Sequence, residues 1–273
     1  MMFIKNTLVL FDIDGTLTDA RRPIDKHMMI VLRELARYAE IGFITGSGLE
    51  YVKEQLWSVL NDPIIKRNCH IFPCNGTEYV IPQGGDDEMI FHRIKKASMI
   101  DSIGSEHFKN LMRTICKLQA EMVAEFEELP LTGHFVQNRG STINWCPIGR
   151  NAIHEDRKLF RGIDCEYNIR LTFKDRLEEE IHKREIPIVV KLGGDTSFDI
   201  YPEGWDKTYV FNHFDEQDWD FWFVGDRCSP VGNDYEIFKH LQPIERAFET
   251  GSPKETIEII ENYIINYLDN DLE

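Results

Sequence analysis

The sequence predicts an α/β protein: a doubly wound, Rossmann-like parallel-sheet core interrupted by an inserted α+β domain. Three observations predict this. Thr7–Phe11 is an apolar run of strand length, and it ends directly at Asp12-Ile13-Asp14-Gly15-Thr16, at the carboxyl end of a buried strand where open α/β sheets bind ligands. Strand-like runs then alternate with amphipathic helical stretches as far as Phe72. Beyond Gly84 the pattern changes to long helices and hairpin-like alternation, and the parallel grammar resumes after Gly204.

Taken in order, Asp25 is an N-cap for a helix whose Met28, Val31, Leu32, Leu35 and Ala39 fall on one face. A strand over 41–45 follows, then a helix with Leu49, Val52, Leu56 and Leu60 as its buried stripe, then a short strand at His70–Phe72. Gly84-Gly85-Asp86-Asp87-Glu88 reads as a linker. After it come a helix from about Glu106 to Glu127 and an antiparallel hairpin formed by Gly133–Arg139 and Thr142–Pro147. A helix near Phe173–Arg184 and strands at Pro187–Leu192 and Ser197–Tyr201 complete the insert. Phe221–Val224 is a further core strand, and Ser252-Pro253-Lys254-Glu255 opens a last helix with cap, first-turn proline and a glutamate three residues past the cap. The expected division is a core of residues 1–85 and 203–273 and an α+β domain of 86–202.

Composition excludes several classes. The formal net charge of −16, from 31 Lys and Arg against 47 Asp and Glu, argues against nucleic acid, whose phosphates demand a basic face, while arginines can still converge on a small phosphate. No apolar run approaches a membrane span, and the first residues lack the apolar core of a signal peptide. The six cysteines form no CxxC pair and read as reduced thiols, so a cytoplasmic protein is expected.

Asp12 and Asp14 are two residues apart, and alternation along an extended chain aims both the same way. Two anions held together are costly unless a cation lies between them, and a hard divalent ion such as Mg2+ takes oxygen ligands while leaving room for phosphate. A solvated Asp-Gly turn is the plainer alternative for the same residues.

The Asp-x-Asp-x-Thr pattern after a first strand resembles the haloacid dehalogenase-like phosphotransferases. The other signatures of that family follow in order: Thr45 closing Ile41–Thr45, Lys207 in Gly204-Trp205-Asp206-Lys207, and Gly225-Asp226 with Gly232-Asn233-Asp234 after Asp220–Val224. The resemblance implies Asp12 as nucleophile, Asp14 as general acid and base, and Thr45 and Lys207 as partners of the transferred phosphoryl group, with Ser47 a further candidate contact. It implies Mg2+ held by Asp12, the Asp14 carbonyl and Asp226, with Asn233 or Asp234 orienting. An insert between the second and third signatures resembles the α+β cap of one branch of the family.

Within the insert, Gln137–Arg150 and Gly194–Lys207 are closely similar to the eukaryotic-type phosphomannomutases. That resemblance implies that Arg139, Arg150 and Arg157 bind a distal phosphate, that Ser197 and Asp199 hold sugar hydroxyls, and that Arg21 contacts substrate beside the nucleophile loop. Guanidinium suits the task because its planar fork grips phosphate and stays charged. The implied substrate is a hexose phosphate, mannose 6-phosphate and mannose 1-phosphate being interconverted through a phosphoaspartate with a hexose 1,6-bisphosphate as activator. The implied assembly is a homodimer through the cap. A Mg-dependent sugar-phosphate phosphatase would use the same nucleophile and stays open at this point. The chain departs from the family pattern at Cys74, where glutamate is usual, at Arg227-Cys228-Ser229, and at His240, where an aspartate for a second cation is often found.

Overall fold

The computed structural model describes residues 6–19, 22–84, 89–215 and 217–270. The first element is β1 (Asn6–Phe11), followed by α1 (Lys26–Leu35), whose cap is Asp25, its Oδ1 accepting from the Met28 amide at 2.9 Å. Then come β2 (Glu40–Ile44), α2 (Leu49–Leu60), α3 (Pro63–Arg67) and β3 (Cys69–Phe72). Two strands absent from the sequence reading follow, β4 (Glu78–Gln83) and β5 (Ile90–Lys96). Next in the chain are α4 (Met99–Ile103), α5 (Ser105–Glu125), β6 (Val136–Asn138), β7 (Ile143–Trp145), α6 (His154–Tyr167), α7 (Ile169–Lys183), β8 (Ile188–Gly193) and β9 (Ser197–Pro202). A 3-10 turn (Lys207–His213) leads to β10 (Trp219–Gly225), α8 (Tyr235–Leu241) and β11 (Ala247–Glu249). The chain closes with α9 (Pro253–Ile259), continued through a π-turn (Ile260–Ile265) into α10 (Asn266–Asn270). The Ser252 cap is in place, its Oγ accepting from the Glu255 amide at 3.3 Å.

Among the described residues the strands form two sheets, one in the order β11-β10-β1-β2-β3-β4-β5 and one in the order β6-β7-β9-β8. In the first, β11, β10, β1, β2 and β3 are mutually parallel, whereas β4 and β5 add antiparallel to the edge. The fold class is thus a mixed α/β sheet that is mostly parallel.

Period-two alternation divides β1 between two cores. Val9 and Phe11 pack with Leu32, Leu56 and Ile260 on one face, while Leu8 and Leu10 pack with Val210, Phe223 and Ile237 on the other. A strand apolar on both faces is what a doubly wound sheet requires at its centre.

The chain divides into two compact units, one reaching Lys96 and resuming at Gly204, the other Ala97–Glu203. The insert therefore begins later than the expected residue 86, because β5 pairs with β4 and belongs to the larger sheet. The expected linker over 84–88 lies mostly outside the described residues.

The second unit is a four-stranded antiparallel sheet with its own core. Leu111, Ile115, Leu118 and Met122 of α5 and Phe173 and Leu177 of α7 pack with Trp145 and Phe198, whose rings stack at 4.5 Å. The hairpin strands are shorter than expected, and α6 is a helix the sequence reading had not assigned. All six cysteines are free, and four of them (Cys69, Cys74, Cys146, Cys228) are buried. No helix among the described residues is long and apolar enough to cross a membrane.

Phe173 is fully buried in this second core. Phe173→Ala is expected to cost about 3–5 kcal/mol, the range for truncating a buried aromatic. Urea denaturation monitored by circular dichroism checks this, and a loss below about 1 kcal/mol would remove Phe173 from the set of core anchors.

Candidate active site

Parallel pairing sets the site. β1 lies between β10 and β2, with Phe11 in register with Val224 and with Phe43. Asp12 leaves the end of β1, Asp226 follows the end of β10 and Thr45 follows the end of β2, so three distant segments meet at one edge of the sheet. Gly15 permits the crowding. Its φ is +85°, and a Cβ there would lie 2.4 Å from Asp226 Oδ2. A larger residue would meet both a left-handed backbone penalty and the carboxylate itself.

Asp12, Asp226 and Asp234 each bring a carboxylate oxygen within 4.8 Å of the others. The Lys207 ammonium, fully buried, donates to Asp12 Oδ1 and to Asp234 Oδ1. The second oxygen of Asp234 accepts from the Arg227 amide at 3.0 Å. Asp234 thus links Lys207 to the loop after β10. The Asn233 Oδ1 is also buried and has no partner among the described residues.

Three carboxylates against one ammonium leave an uncompensated negative charge in a buried place. Burial pushes the Asp12 carboxyl up, to about 7, against the pull of Lys207, and Asp234 and Asp226 push it further. Asp226 is raised by burial first and by Asp234 next. Burial works against the Lys207 charge, yet Asp12 and Asp234 outweigh it and hold that pKa above the ordinary lysine value. An all-oxygen donor set with excess negative charge fits a hard divalent cation.

Asp14 departs from the expected arrangement. It does not point with Asp12, because β1 ends at Phe11 and the chain turns at Gly15. Its carboxylate is not among the three that converge. Instead it accepts from the Tyr51 hydroxyl at 2.9 Å (Oδ1) and 2.8 Å (Oδ2) and from Gln55 Nε2 at 3.1 Å. Thr45 is buried, its Oγ1 accepting from the Ser47 amide at 3.1 Å. Arg21 lies outside the described residues.

The second unit carries its own cluster. Arg139 Nη1 lies 3.8 Å from Asp199 Oδ1, and Arg150 Nη1 donates to Asn144 Oδ1 at 3.2 Å. Asn144 Nδ2 in turn donates to Asp199 Oδ1 at 2.8 Å. The buried Asn144 amide therefore joins Arg150 to Asp199, which Arg139 approaches directly. Arg157 stands slightly apart, donating to Thr196 Oγ1 at 2.9 Å and to the Ala152 carbonyl at 3.0 Å. Ser197 Oγ donates to the Gly193 carbonyl at 2.8 Å.

Sequence reasoning missed Asn144, Tyr51 and Gln55. Asn144 sits in a strand where alternation marks it only as the polar residue between Ile143 and Trp145. Tyr51 and Gln55 are separated by one helical turn and give a shared face, but nothing local says that Asp14 meets it.

The arrangement defines a class first. Asp12, Lys207 and Asp226 meet at the tip of the central strand, in keeping with the resemblance to haloacid dehalogenase-like phosphotransferases noted in the sequence. The fold agrees: Plasmodium falciparum IMP-nucleotidase superposes with a TM-score of 0.66 at 14% identity, covering 94% of this chain and 62% of that one. Aspergillus fumigatus trehalose-6-phosphate phosphatase gives a TM-score of 0.50 at 15% identity, with 98% and 93% covered.

The family is narrower. The family model described as eukaryotic phosphomannomutase matches residues 28–266. Phosphomannomutase of Schizosaccharomyces pombe is 35% identical over 254 residues, covering 92% of this chain and 91% of that protein. Phosphomannomutase 2 of Dictyostelium discoideum is 33% identical, with 95% and 97% covered, and phosphomannomutase of Saccharomyces cerevisiae 34% identical, with 93% and 92% covered. The chain belongs to the eukaryotic phosphomannomutase family.

The raised Asp12 carboxyl sets a pH dependence. The folded protein retains a proton that the unfolded chain loses above its ordinary value of 3.8, so in cation-free protein this group's contribution to stability falls as pH rises from about 4 to about 7. A divalent cation competes with that proton, so the gain in Tm on adding the cation should be larger at pH 8 than at pH 5.5. An equal gain at both values, measured by differential scanning fluorimetry, would separate Asp12 from the cation site.

Proposed function

We propose that the chain is a phosphomannomutase, an enzyme that interconverts mannose 6-phosphate and mannose 1-phosphate through a phosphorylated Asp12. The observation that carries this reading is the convergence of Asp12, Asp226 and Asp234 on a buried Lys207 in a member of this family.

Asp12 supplies the attacking oxygen. Its repulsion with the phosphoryl oxygens is the chief obstacle, and the Lys207 ammonium and the Thr45 hydroxyl offset it from two sides. Mg2+ fits the site, with Asp12, Asp226 and the Asp14 carbonyl as its holders, and when bound it supplies further neutralisation of phosphoryl charge. Asp14 transfers the proton to and from the sugar oxygen.

In the second unit, Arg139, Arg150 and Arg157 bind the phosphate that does not react, and Ser197 and Asp199 accept and donate at sugar hydroxyls. Asn144 supports this part: its amide holds Asp199 by its NH2 and Arg150 by its oxygen, serving an anion and a cation from one neutral side chain. Arg21 contributes beside the nucleophile loop. A hexose 1,6-bisphosphate serves as activator because it phosphorylates Asp12 and leaves a monophosphate behind. A homodimer through the second unit belongs to the same reading, and exposed Ile153, Leu159 and Leu171 there are suited to such a contact.

Incubation with mannose 1-phosphate and a trace of hexose bisphosphate should yield mannose 6-phosphate, and Asp12→Asn should abolish it. Release of free mannose and inorganic phosphate alone would replace the mutase with a phosphatase. Arg150→Ala should raise KM for mannose 1-phosphate by about tenfold or more, consistent with a charge-assisted contact worth roughly 1.5–3 kcal/mol. An unchanged KM would take Arg150 out of the phosphate site.

A further inference from the structure

Two carboxylates two residues apart are given different surroundings, and the surroundings of Asp14 are built from one face of α2. Tyr51 and Gln55 occupy positions i and i+4 of that helix, so their side chains rise from the same face. The Tyr51 hydroxyl sits in the fork of the Asp14 carboxylate, 2.9 Å from Oδ1 and 2.8 Å from Oδ2. Gln55 Nε2 reaches both members of that pair, 3.1 Å from Asp14 Oδ1 and 2.9 Å from the Tyr51 oxygen.

Gln55 is itself buried, 4% exposed, and its Oε1 has no hydrogen-bond partner among the described residues. An orphaned buried acceptor loses its hydrogen bonds to water without regaining one in the fold, so it is costly to keep. Turning the amide over would present Oε1 to the Asp14 carboxylate, oxygen against oxygen, which is worse. The orphan thus marks an amide whose orientation is dictated by Asp14. Six other buried side-chain polar atoms lack a partner among the described residues, and this one is set apart by belonging to an amide bound to Asp14.

We propose that Tyr51, braced by Gln55, is a positioning residue that fixes the direction in which Asp14 delivers its proton during phosphoryl transfer. This rests on the mutase reading for the identity of the reaction. In the step concerned, an Asp12 oxygen forms a bond to phosphorus, the bond from phosphorus to the sugar oxygen breaks, and the sugar oxygen takes the proton from the Asp14 carboxyl group. The reverse transfer returns that proton to Asp14. Tyr51 keeps its own proton throughout. Its hydroxyl restrains rotation of the carboxyl group about the Cβ–Cγ bond, which decides whether an oxygen faces the departing group.

The chemistry supplies a test that separates orientation from general damage. A sugar alkoxide is a poor leaving group and needs the proton. A p-nitrophenolate departs without one. Wild-type protein, Tyr51→Phe and Gln55→Met are compared on mannose 1-phosphate and on p-nitrophenyl phosphate. The hexose phosphate is scored by its disappearance, whether it is isomerised or hydrolysed.

Tyr51→Phe should lower kcat for the hexose phosphate about 10- to 100-fold, a fraction of what complete loss of a general acid gives, with KM changed by less than about twofold. The ratio of hexose-phosphate to p-nitrophenyl phosphate turnover should fall about tenfold or more, and Gln55→Met should move it the same way by less. Equal losses on both substrates would overturn the inference in favour of a structural role for Tyr51, as would a rise in KM at constant kcat or no change at all. Wild-type protein that consumes the hexose phosphate but forms only inorganic phosphate would sink the mutase reading, and the comparison of the two leaving groups would still decide the role of Tyr51.

Discussion

The Lys207 ammonium, buried between Asp12 and Asp234, is the constraint on which the rest of the site depends. Removing such a charge from water costs several kcal/mol, and removing one partner of a buried pair typically costs 3–5 kcal/mol because the other is left uncompensated. The protein therefore needs residues 12, 207 and 234 together, although they lie on three separate stretches of chain. Parallel register between β1 and β10 brings the Asp12 and Asp226 ends level, and the Asp234 side chain ties the loop after β10 to the lysine. The cluster is still too acidic by itself. Its excess charge, a consequence of how the sheet is closed, suits it to a divalent cation.

The second unit solves the opposite electrostatic problem. Arg139 and Arg150 are fixed near each other in the same unit, and Asp199 stands between them with Asn144 as the neutral joint. An aspartate at 144 would set two carboxylates in contact, and an arginine or lysine would add a further cation. A neutral amide with one donor end and one acceptor end satisfies both neighbours without changing the charge. The guanidinium groups remain charged and partly restrained, so less side-chain freedom is lost when an anion arrives.

Much of the fold was legible because its central strands are apolar on both faces and its helices carry clean caps. Asp25, Ser252 and the stripe Met28, Val31, Leu32, Leu35 each state a local rule that tertiary structure did not override. β4 and β5 were not legible for physical reasons. β4 contains Pro82, which argues against a strand, and β5 is basic and almost wholly exposed, the composition of a protected sheet edge. Helix α6 buries only Phe160 and Ile163, too narrow a stripe to read. At the site, Asp12, Thr45, Lys207 and Asp226 announce themselves by position after strands or in signatures. Asn144, Tyr51 and Gln55 act through partners 55, 37 and 41 residues away, and no periodicity encodes such distances.

Asp12 and Asp14 illustrate how environment divides two identical side chains. Simple alternation would have given them one direction and one role. The strand ends before either, and the left-handed turn at Gly15 sends them to different neighbours. Asp12 meets an ammonium and two carboxylates, surroundings that make its charge state responsive to a cation. Asp14 accepts from a phenol and an amide, two neutral donors that hold the orientation of its carboxylate. The proton-transfer role proposed for Asp14 would draw on that fixed orientation. The residue supplying most of it, Tyr51, does so from a helix that follows the adjacent strand β2, so the same crossover that builds the sheet also separates the two acids.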